Sequence, residues 1–108
     1  MKLYNEILHE LPQATELTDA RKKLIDGYWY WLFNTNRESG KRKATTYDEA
    51  ISYSEQFFTS ITQDDFVMGR TPKTANHQNW KATIDYILGP RGRTKCLEMA
   101  RYRAKQEQ

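Results

Sequence analysis

The chain has 108 residues, enough for one domain with a modest core, and its single cysteine, Cys96, cannot form an internal disulfide. It has no signal-peptide pattern and no run near the ~18 apolar residues of a membrane span. We therefore expect a cytoplasmic protein with no membrane association. The hydrophobic fraction is only 38%, yet three Trp, seven Tyr and four Phe favour a folded domain over disorder.

Charge is unevenly distributed along the chain. Residues 1–69 carry eight Lys and Arg against eleven Asp and Glu, whereas residues 70–108 carry nine against three. The net charges of the two parts are therefore −3 and +6. An excess of cations at one end favours an anionic partner, either nucleic acid or an acidic protein surface.

The apolar periodicity predicts an all-α fold, a small bundle of four to five helices in a single domain over residues 1–108. We expect a short helix and a connector in residues 1–17, a helical core in 18–105 and a tail in 106–108. The short helix should turn Leu3, Ile7 and Leu8 inward and stop at Pro12. A long helix from Asp19 to Asn34, capped by Thr15 or Thr18, is expected because apolar residues recur at spacings of three and four, namely Leu24, Ile25, Tyr28, Trp29, Leu32 and Phe33.

Residues 34–45 are polar and contain Gly40, so they are predicted to form an exposed loop. The capping-box sequence Thr46-Tyr47-Asp48-Glu49 predicts a helix from Tyr47 to about Thr62. Asp64-Asp65 then favours a short helical turn that ends at Gly69. The inward residues of the predicted helix are Ala50, Tyr53, Phe57, Phe58 and Ile61.

Two further helices are predicted near the C-terminus. Asn79 can cap a helix from Trp80 to Leu88, which Gly89-Pro90 terminates. Thr94 can cap a last helix to about Lys105. Its inward residues should be Leu97, Met99 or Ala100, and Tyr102. The basic, glycine-containing run from 89 to 93 is either a plain turn between helices or a contact for a phosphate.

No group of residues predicts catalysis or metal binding. His9 and His77 have no cysteine or acid at ligand spacing. The acid pairs Asp48-Glu49 and Asp64-Asp65 lie at predicted helix starts, where carboxylates stabilise the terminus. Nucleotide-binding fingerprints and nucleophile motifs are missing from the sequence. We therefore expect a protein that is not an enzyme and uses neither cofactor nor metal.

The predicted functional residues are cations and two aromatics. Residues 28–31 are four consecutive aromatics, and they cannot all face the core because successive helical residues lie ~100° apart. Tyr30 and Trp31 are therefore either core residues or partner contacts that stack on single-stranded bases or meet a protein. The predicted nucleic-acid contacts are Lys41, Arg42, Lys43, Arg70, Lys73, Arg91, Arg93, Lys95, Arg101, Arg103 and Lys105.

A series of motifs resembles the C-terminal module of phage and prophage replication initiators and helicase-loader-like proteins. The series is Leu11-Pro12, Leu17-Thr18, Phe57-Phe58, Asp65-Phe66-Val67-Met68-Gly69, Trp80-Lys81-Ala82-Thr83-Ile84-Asp85-Tyr86-Ile87-Leu88, and Lys95-Cys96-Leu97-Glu98-Met99 with Tyr102. The resemblance implies no catalytic residue. It implies structural roles for its matched positions, with Trp80, Ile84, Phe66 and Leu88 in the core, Asp85 as a buried partner and Gly69 as a terminator.

The resemblance implies an accessory function in DNA replication, through single-stranded DNA, a replicative helicase or both. Members of the family often carry a winged-helix domain before this module, whereas this chain begins almost at the module. We therefore expect either a fragment or a free-standing protein. The alternative is a small phage-encoded inhibitor or regulator that binds a host or defence complex. The sequence leaves the oligomeric state open.

Overall fold

The computed structural model describes residues 1–70 and 81–107, and these form five α-helices and no strand. The all-α prediction is therefore confirmed. None of the described helices has the length and apolarity needed to cross a membrane. The helices are α1 (Lys2–Ile7), α2 (Asp19–Asn34), α3 (Tyr47–Ile61), α4 (Ile84–Leu88) and α5 (Pro90–Gln106). The last helix thus includes Gln106, which was predicted to begin the tail.

Helix α1 is held by two side chains on one face. Tyr4 and Leu8 are buried, whereas Leu3 and Ile7, which were predicted to face inward, are only half-buried. The helix also stops at Ile7, well before Pro12. Tyr4 meets Phe58 of α3 edge to face, with ring centroids 5.7 Å apart, so α1 packs on α3 through an aromatic pair.

The connector after α1 is ordered by one asparagine. The Asn5 side-chain amide donates to the carbonyl of Ala14, and its Oδ1 accepts from the N–H of Ala14. Each of these two hydrogen bonds is 2.8 Å long. Leu11 and Ala14 are both buried. Residues 1–17 are therefore part of the packed bundle and not a loose leader to it.

Helices α2 and α3 begin where their caps predict. The Thr18 hydroxyl accepts from the N–H of Arg21 at 3.1 Å, and the Thr46 hydroxyl accepts from the N–H of Glu49 at 3.2 Å. The Glu49 carboxylate reaches back to the N–H of Thr45 at 2.8 Å, which completes a capping box displaced by one residue. The predicted bounds of both helices are confirmed, with α3 ending at Ile61.

The interface of α2 and α3 is aromatic. Tyr28 stacks against Phe57 and Phe58, with centroids 6.3 Å and 5.9 Å away. Its buried hydroxyl shares a hydrogen bond of 2.7 Å with the Ser54 hydroxyl. Burial raises the pKa of Tyr28, and the Ser54 bond opposes that rise. The polar end of this tyrosine is thus satisfied inside the core.

The segment after α3 is a compact turn. The buried carboxylate of Asp64 accepts from the N–H of Val67 at 3.2 Å, and Gly69 ends the turn with φ +75°. Val67 and Met68 are buried, whereas Phe66 is largely exposed, so the core role expected for Phe66 is wrong. The carboxylate at Asp64 fixes a turn that presents residues 67 and 68, not 66, to the bundle.

Helix α4 is shorter than predicted, and α5 is longer. Residues 81–83 are not helical, Thr83 is extended, and α4 begins only at Ile84. The expected cap Asn79 and the expected core residue Trp80 lie outside the described residues. Helix α5 begins directly at Pro90, so the prediction of a cap at Thr94 is wrong. Proline suits the first turn of a helix because its φ is preset and it needs no N–H there.

Close contact between α4 and α5 depends on Gly92. A Cβ atom built on this residue would lie 1.8 Å from the carbonyl oxygen of Tyr86. The glycine therefore lets the first turn of α5 lie against the backbone of α4. Cys96, one turn later, is buried on the same side. Tyr102, which was predicted to face inward, is 58% exposed, because six residues beyond Cys96 place it on the far side of the helix.

Candidate nucleic-acid interface

Residues 35–44 fold back as a small hairpin onto the end of α2. The N–H of Lys43 donates to the carbonyl of Thr35 at 3.0 Å, and that of Ala44 donates to Leu32 at 3.1 Å. A β-bridge pairs residues 36 and 42, and Gly40 makes the turn with φ +90°. The prediction of a wholly exposed loop is therefore wrong for its second half, where residues 43 and 44 are buried.

Lys43 is an internal residue of the bundle. It is only 3% exposed, and its ammonium group donates to the Thr35 hydroxyl at 2.8 Å and to the carbonyl of Asn36 at 2.9 Å. The same group lies 4.7 Å from the ring centroid of Trp31. The prediction of Lys43 as a direct phosphate contact is thus wrong, because closure of the hairpin tucks its side chain over the indole.

Trp31 has a second cation on its ring. The guanidinium carbon of Arg93, on α5, lies 5.3 Å from the indole centroid, and Nη1 donates to the carbonyl of Leu88 at 3.1 Å. The Arg93 Nε is buried and has no hydrogen-bond partner among the described residues. Trp31 is half-buried between these cations and the core rings of Tyr28, Tyr53 and Phe57. It therefore joins α2, the hairpin and α5, and offers a partner far less surface than the sequence predicts.

Two further arginines approach the same aromatic group. The Arg37 guanidinium lies 5.1 Å from the ring centroid of Tyr53, and its Nη2 donates to the carbonyl of Lys43 at 3.1 Å. Arg101 forms an ion pair of 3.0 Å with Glu38 on the hairpin. We call Trp31, Tyr53, Arg37, Lys43, Arg93 and Arg101 the Trp31 cluster. Sequence reasoning missed Arg37, Glu38 and the role of Tyr53, because only the folded hairpin brings Arg37 to Tyr53 of α3 and Glu38 to Arg101 of α5.

The Trp31 cluster has more positive than negative charge. Burial lowers the pKa of Lys43, and the charges of Arg101 and Arg37 lower it further. Burial raises the pKa of Tyr53, and the same two arginines oppose that rise. Arg37 and Arg101 therefore both lower the pKa of Lys43 and that of Tyr53. Like charges brought together in a partly desolvated place repel one another, and an anion placed among them relieves that repulsion.

Carboxylates near the cluster are few. Glu38 is the only acid in an ion pair with a member of the Trp31 cluster within residues 1–70 and 81–107. Glu49 also senses the charge of Arg37, but hydrogen bonds from Thr45 are the main cause of its lowered pKa. Four cations are thus opposed by one paired carboxylate, which leaves an electropositive surface between the hairpin and α5.

Further exposed cations lie on the hairpin and on a side of α5 that faces away from Arg93. Lys41 and Arg42 lie on the hairpin, and Arg91 and Lys95 lie one turn apart on α5. The last two border a shallow depression of about 370 Å³. Tyr102 follows on the same side of α5, seven residues after Lys95, and Lys105 is exposed near the end of the helix. This side of α5 therefore carries basic side chains, the carboxylate of Glu98 and an exposed aromatic ring.

Two of the predicted nucleic-acid contacts, Arg70 and Arg103, bind to other parts of the protein. Arg103 donates to the carbonyl of Ser60 at 2.7 Å and lies 3.9 Å from the Asp64 carboxylate. Arg70 pairs with Asp65 at 3.2 Å and also bonds to the backbone of Thr62. Both arginines stabilise the turn after α3 and lie apart from the Trp31 cluster. Lys73 lies outside the described residues.

A second aromatic surface lies on the α2–α3 side. Trp29 stacks between Phe33 and Tyr47, with centroids 5.9 Å and 5.7 Å away and ring planes within 14° and 13°. Tyr30 is 70% exposed beside this stack, which excludes the core position that was one of its two expected roles. We call Trp29, Tyr30, Phe33 and Tyr47 the aromatic surface. Its role as a partner contact stays a prediction.

The described residues place no reactive group in an open site. No three His, Cys, Asp or Glu side chains come together as metal ligands within the described ranges. Burial raises the pKa of Cys96 to about 12, so the thiol is protonated at neutral pH and is a poor nucleophile. The apolar cavity between α1, α2 and α3 measures about 100 Å³, and the hydroxyls of Tyr28 and Ser54 on its wall bond to each other.

The chain matches no known protein family, no curated protein and no solved structure. The likeness to the replication-initiator module therefore stays a prediction from the sequence motifs.

The expected partner role of Asp85 takes a different form, since its half-exposed carboxylate pairs with Arg21 of α2 at 3.1 Å and is not buried. This pair ties α4 to α2 at the surface.

Proposed function

We propose that this protein is a non-enzymatic accessory module of phage or prophage DNA replication that binds single-stranded DNA. The binding surface is the face formed by the hairpin and α5. The observation that carries the proposal is the excess of cations around Trp31 and Tyr53, opposed by the paired carboxylate of Glu38. The replication context rests on the resemblance of the sequence motifs alone.

Single-stranded DNA suits this face better than a duplex. Proteins that bind single strands combine a basic track for the backbone with rings on which bases stack. Arg91 and Lys95 provide part of such a track, and Tyr102 provides an exposed ring on the same side of α5. Trp31 is unsuited to stacking because Lys43 and Arg93 lie over its ring.

Titration of a fluorescently labelled oligothymidylate at several salt concentrations tests this proposal. Each phosphate contact on a single strand contributes a slope of about −0.7 in log K against log salt. Three to five contacts from this face would therefore give a slope between about −2 and −3.5. A protein that shows no binding even at low salt would remove the DNA-binding proposal.

A second candidate function, the binding and regulation of another protein, is favoured by the aromatic surface. Exposed tyrosines beside a half-buried tryptophan are typical of protein interfaces, where aromatic side chains dominate the binding energy. The replicative helicase implied by the resemblance is one candidate partner, and a host or defence complex is the other. Pull-down with the wild type and with Tyr30→Ala tests this candidate, since a stoichiometric partner lost with that variant would support it.

A further inference from the structure

The contact between Glu38 and Arg101 joins the hairpin to α5. The carboxylate lies 3.0 Å from the Arg101 guanidinium, and both side chains remain partly open to solvent, at 55% and 35% exposure. An ion pair of this kind contributes little stability, because each ion stays hydrated when the pair opens. Another anion can therefore replace the Glu38 carboxylate beside Arg101 at a small cost in free energy.

Arg37 directly precedes Glu38, which lies in the turn of the hairpin. Its guanidinium is fixed over the ring of Tyr53, and one of its nitrogens is held by the carbonyl of Lys43. Arg101 reaches the hairpin from α5 through its 3.0 Å ion pair with Glu38, the residue next to Arg37. One guanidinium group from the hairpin and one from α5 therefore flank the Glu38 backbone and side chain, and Glu38 is the anion that lies there.

We propose that Arg37 and Arg101 form a subsite for one backbone phosphate of single-stranded DNA, and that Glu38 occupies its Arg101 side in the free protein. This inference rests on the proposed function. A phosphodiester has two acceptor oxygens, which match the paired donors of a guanidinium as a carboxylate does. Binding of DNA then exchanges the Glu38 carboxylate for a phosphate, and the protein's own acid competes with its ligand.

The inference predicts that removal of the competing carboxylate tightens binding. Glu38→Gln keeps the size of the side chain and raises the net charge by one. Glu6→Gln on α1, which contributes nothing to the Trp31 cluster, makes the same change of charge at another exposed acid. We expect Glu38→Gln to bind oligothymidylate about two- to fivefold more tightly than Glu6→Gln, because it frees a surface ion pair.

A double-mutant cycle with Arg101→Gln identifies the source of the gain. In the Arg101→Gln background, Glu38→Gln should give no advantage over Glu6→Gln, because the arginine that the acid occupies is missing. Thermal melts of all five variants check that each is folded at the titration temperature. If DNA displaces the Glu38 carboxylate, Glu38→Gln should raise the affinity when Arg101 is present and should not raise it when Arg101 is replaced.

The outcomes separate this inference from the proposed function. Equal affinities of Glu38→Gln and Glu6→Gln, with clear binding by the wild type, would overturn the subsite and leave DNA binding intact. A gain that persists without Arg101 would overturn it as well, because the acid would then act through its charge alone. Failure of the wild type and of every variant to bind at low salt would overturn both.

Discussion

Lys43 holds its ammonium group 4.7 Å from the centroid of the Trp31 ring, with the side chain almost wholly buried. The contact places a cation from the hairpin on an aromatic residue of α2, and Arg93 of α5 adds a second. Cation–π contacts of this kind are stronger where water is excluded. Trp31 is thus the residue through which three elements are held together, and it orders the surface on which the proposed function depends.

Truncation of Trp31 should therefore destabilise the protein strongly. Trp31→Ala removes contacts to three core rings and two cations, and we expect a loss of about 2–4 kcal/mol in the free energy of unfolding. Tyr30→Ala, the neighbouring change at a 70% exposed ring, should alter it by about 0.5 kcal/mol or less. Urea denaturation of the two variants measures both values, and similar losses for the two would contradict the packing of Trp31 described above.

The close approach of α4 and α5 predicts opposite effects for two glycines. Gly92→Ala must push α5 away from the carbonyl of Tyr86, which should cost about 1–3 kcal/mol or more. Gly27→Ala meets nothing within 4 Å in the middle of α2 and should stabilise by about 0.5–1 kcal/mol. Thermal or urea unfolding measures the change in the free energy of unfolding for each variant. A Gly92→Ala variant as stable as the wild type would show that α5 does not begin at Pro90.

Burial of Cys96 predicts a dependence of stability on alkaline pH. The pKa of the thiol rises from an ordinary 9.0 to about 12 in the folded protein, so the unfolded chain loses this proton first as pH rises. Stability from this group is complete below pH 9 and falls above it by about 1.4 kcal/mol per pH unit. Cys96→Ala should lack this decline.

The measurement for Cys96 is urea unfolding of the wild type and Cys96→Ala between pH 8 and 10. The range stops at 10 because above it the unfolded chain also loses the protons of the buried tyrosines, whose pKa values are raised in the fold, and the resulting large loss of stability in both proteins would mask the effect of the thiol. The variant should be less stable at pH 8, since it leaves a small cavity, and the difference should shrink as pH rises. Parallel curves would contradict the buried, protonated thiol.

The features that local sequence specifies were predicted well. The bounds of α2 follow from apolar spacing, and the start of α3 follows from the Thr46 cap. Gly89-Pro90 was interpreted only as a stop, although proline at the first position also starts a helix, so the beginning of α5 was missed.

The site depended on contacts that no local pattern contains. Lys43 follows Lys41 and Arg42 in a polar run, and only the hairpin fold separates the buried cation from its exposed neighbours. Arg37 and Glu38 belong to no sequence motif, and they matter because the hairpin sets Arg37 against Tyr53 of α3 and Glu38 against Arg101 of α5. Charge asymmetry indicated the basic C-terminal part of the chain and not the hairpin, and it could not separate exposed cations such as Lys95 from structural ones such as Arg103.

The affinity of Tyr102→Ala for oligothymidylate tests the central claim most directly. Tyr102 is exposed beside the cations of α5, and stacking of a base on an aromatic ring contributes about 1–3 kcal/mol, so the variant should bind about 5- to 150-fold more weakly. Tyr30→Ala, which removes an equally exposed ring on the aromatic surface, should bind as the wild type does. Equal affinities of the wild type and both variants would contradict single-strand binding at the face formed by the hairpin and α5.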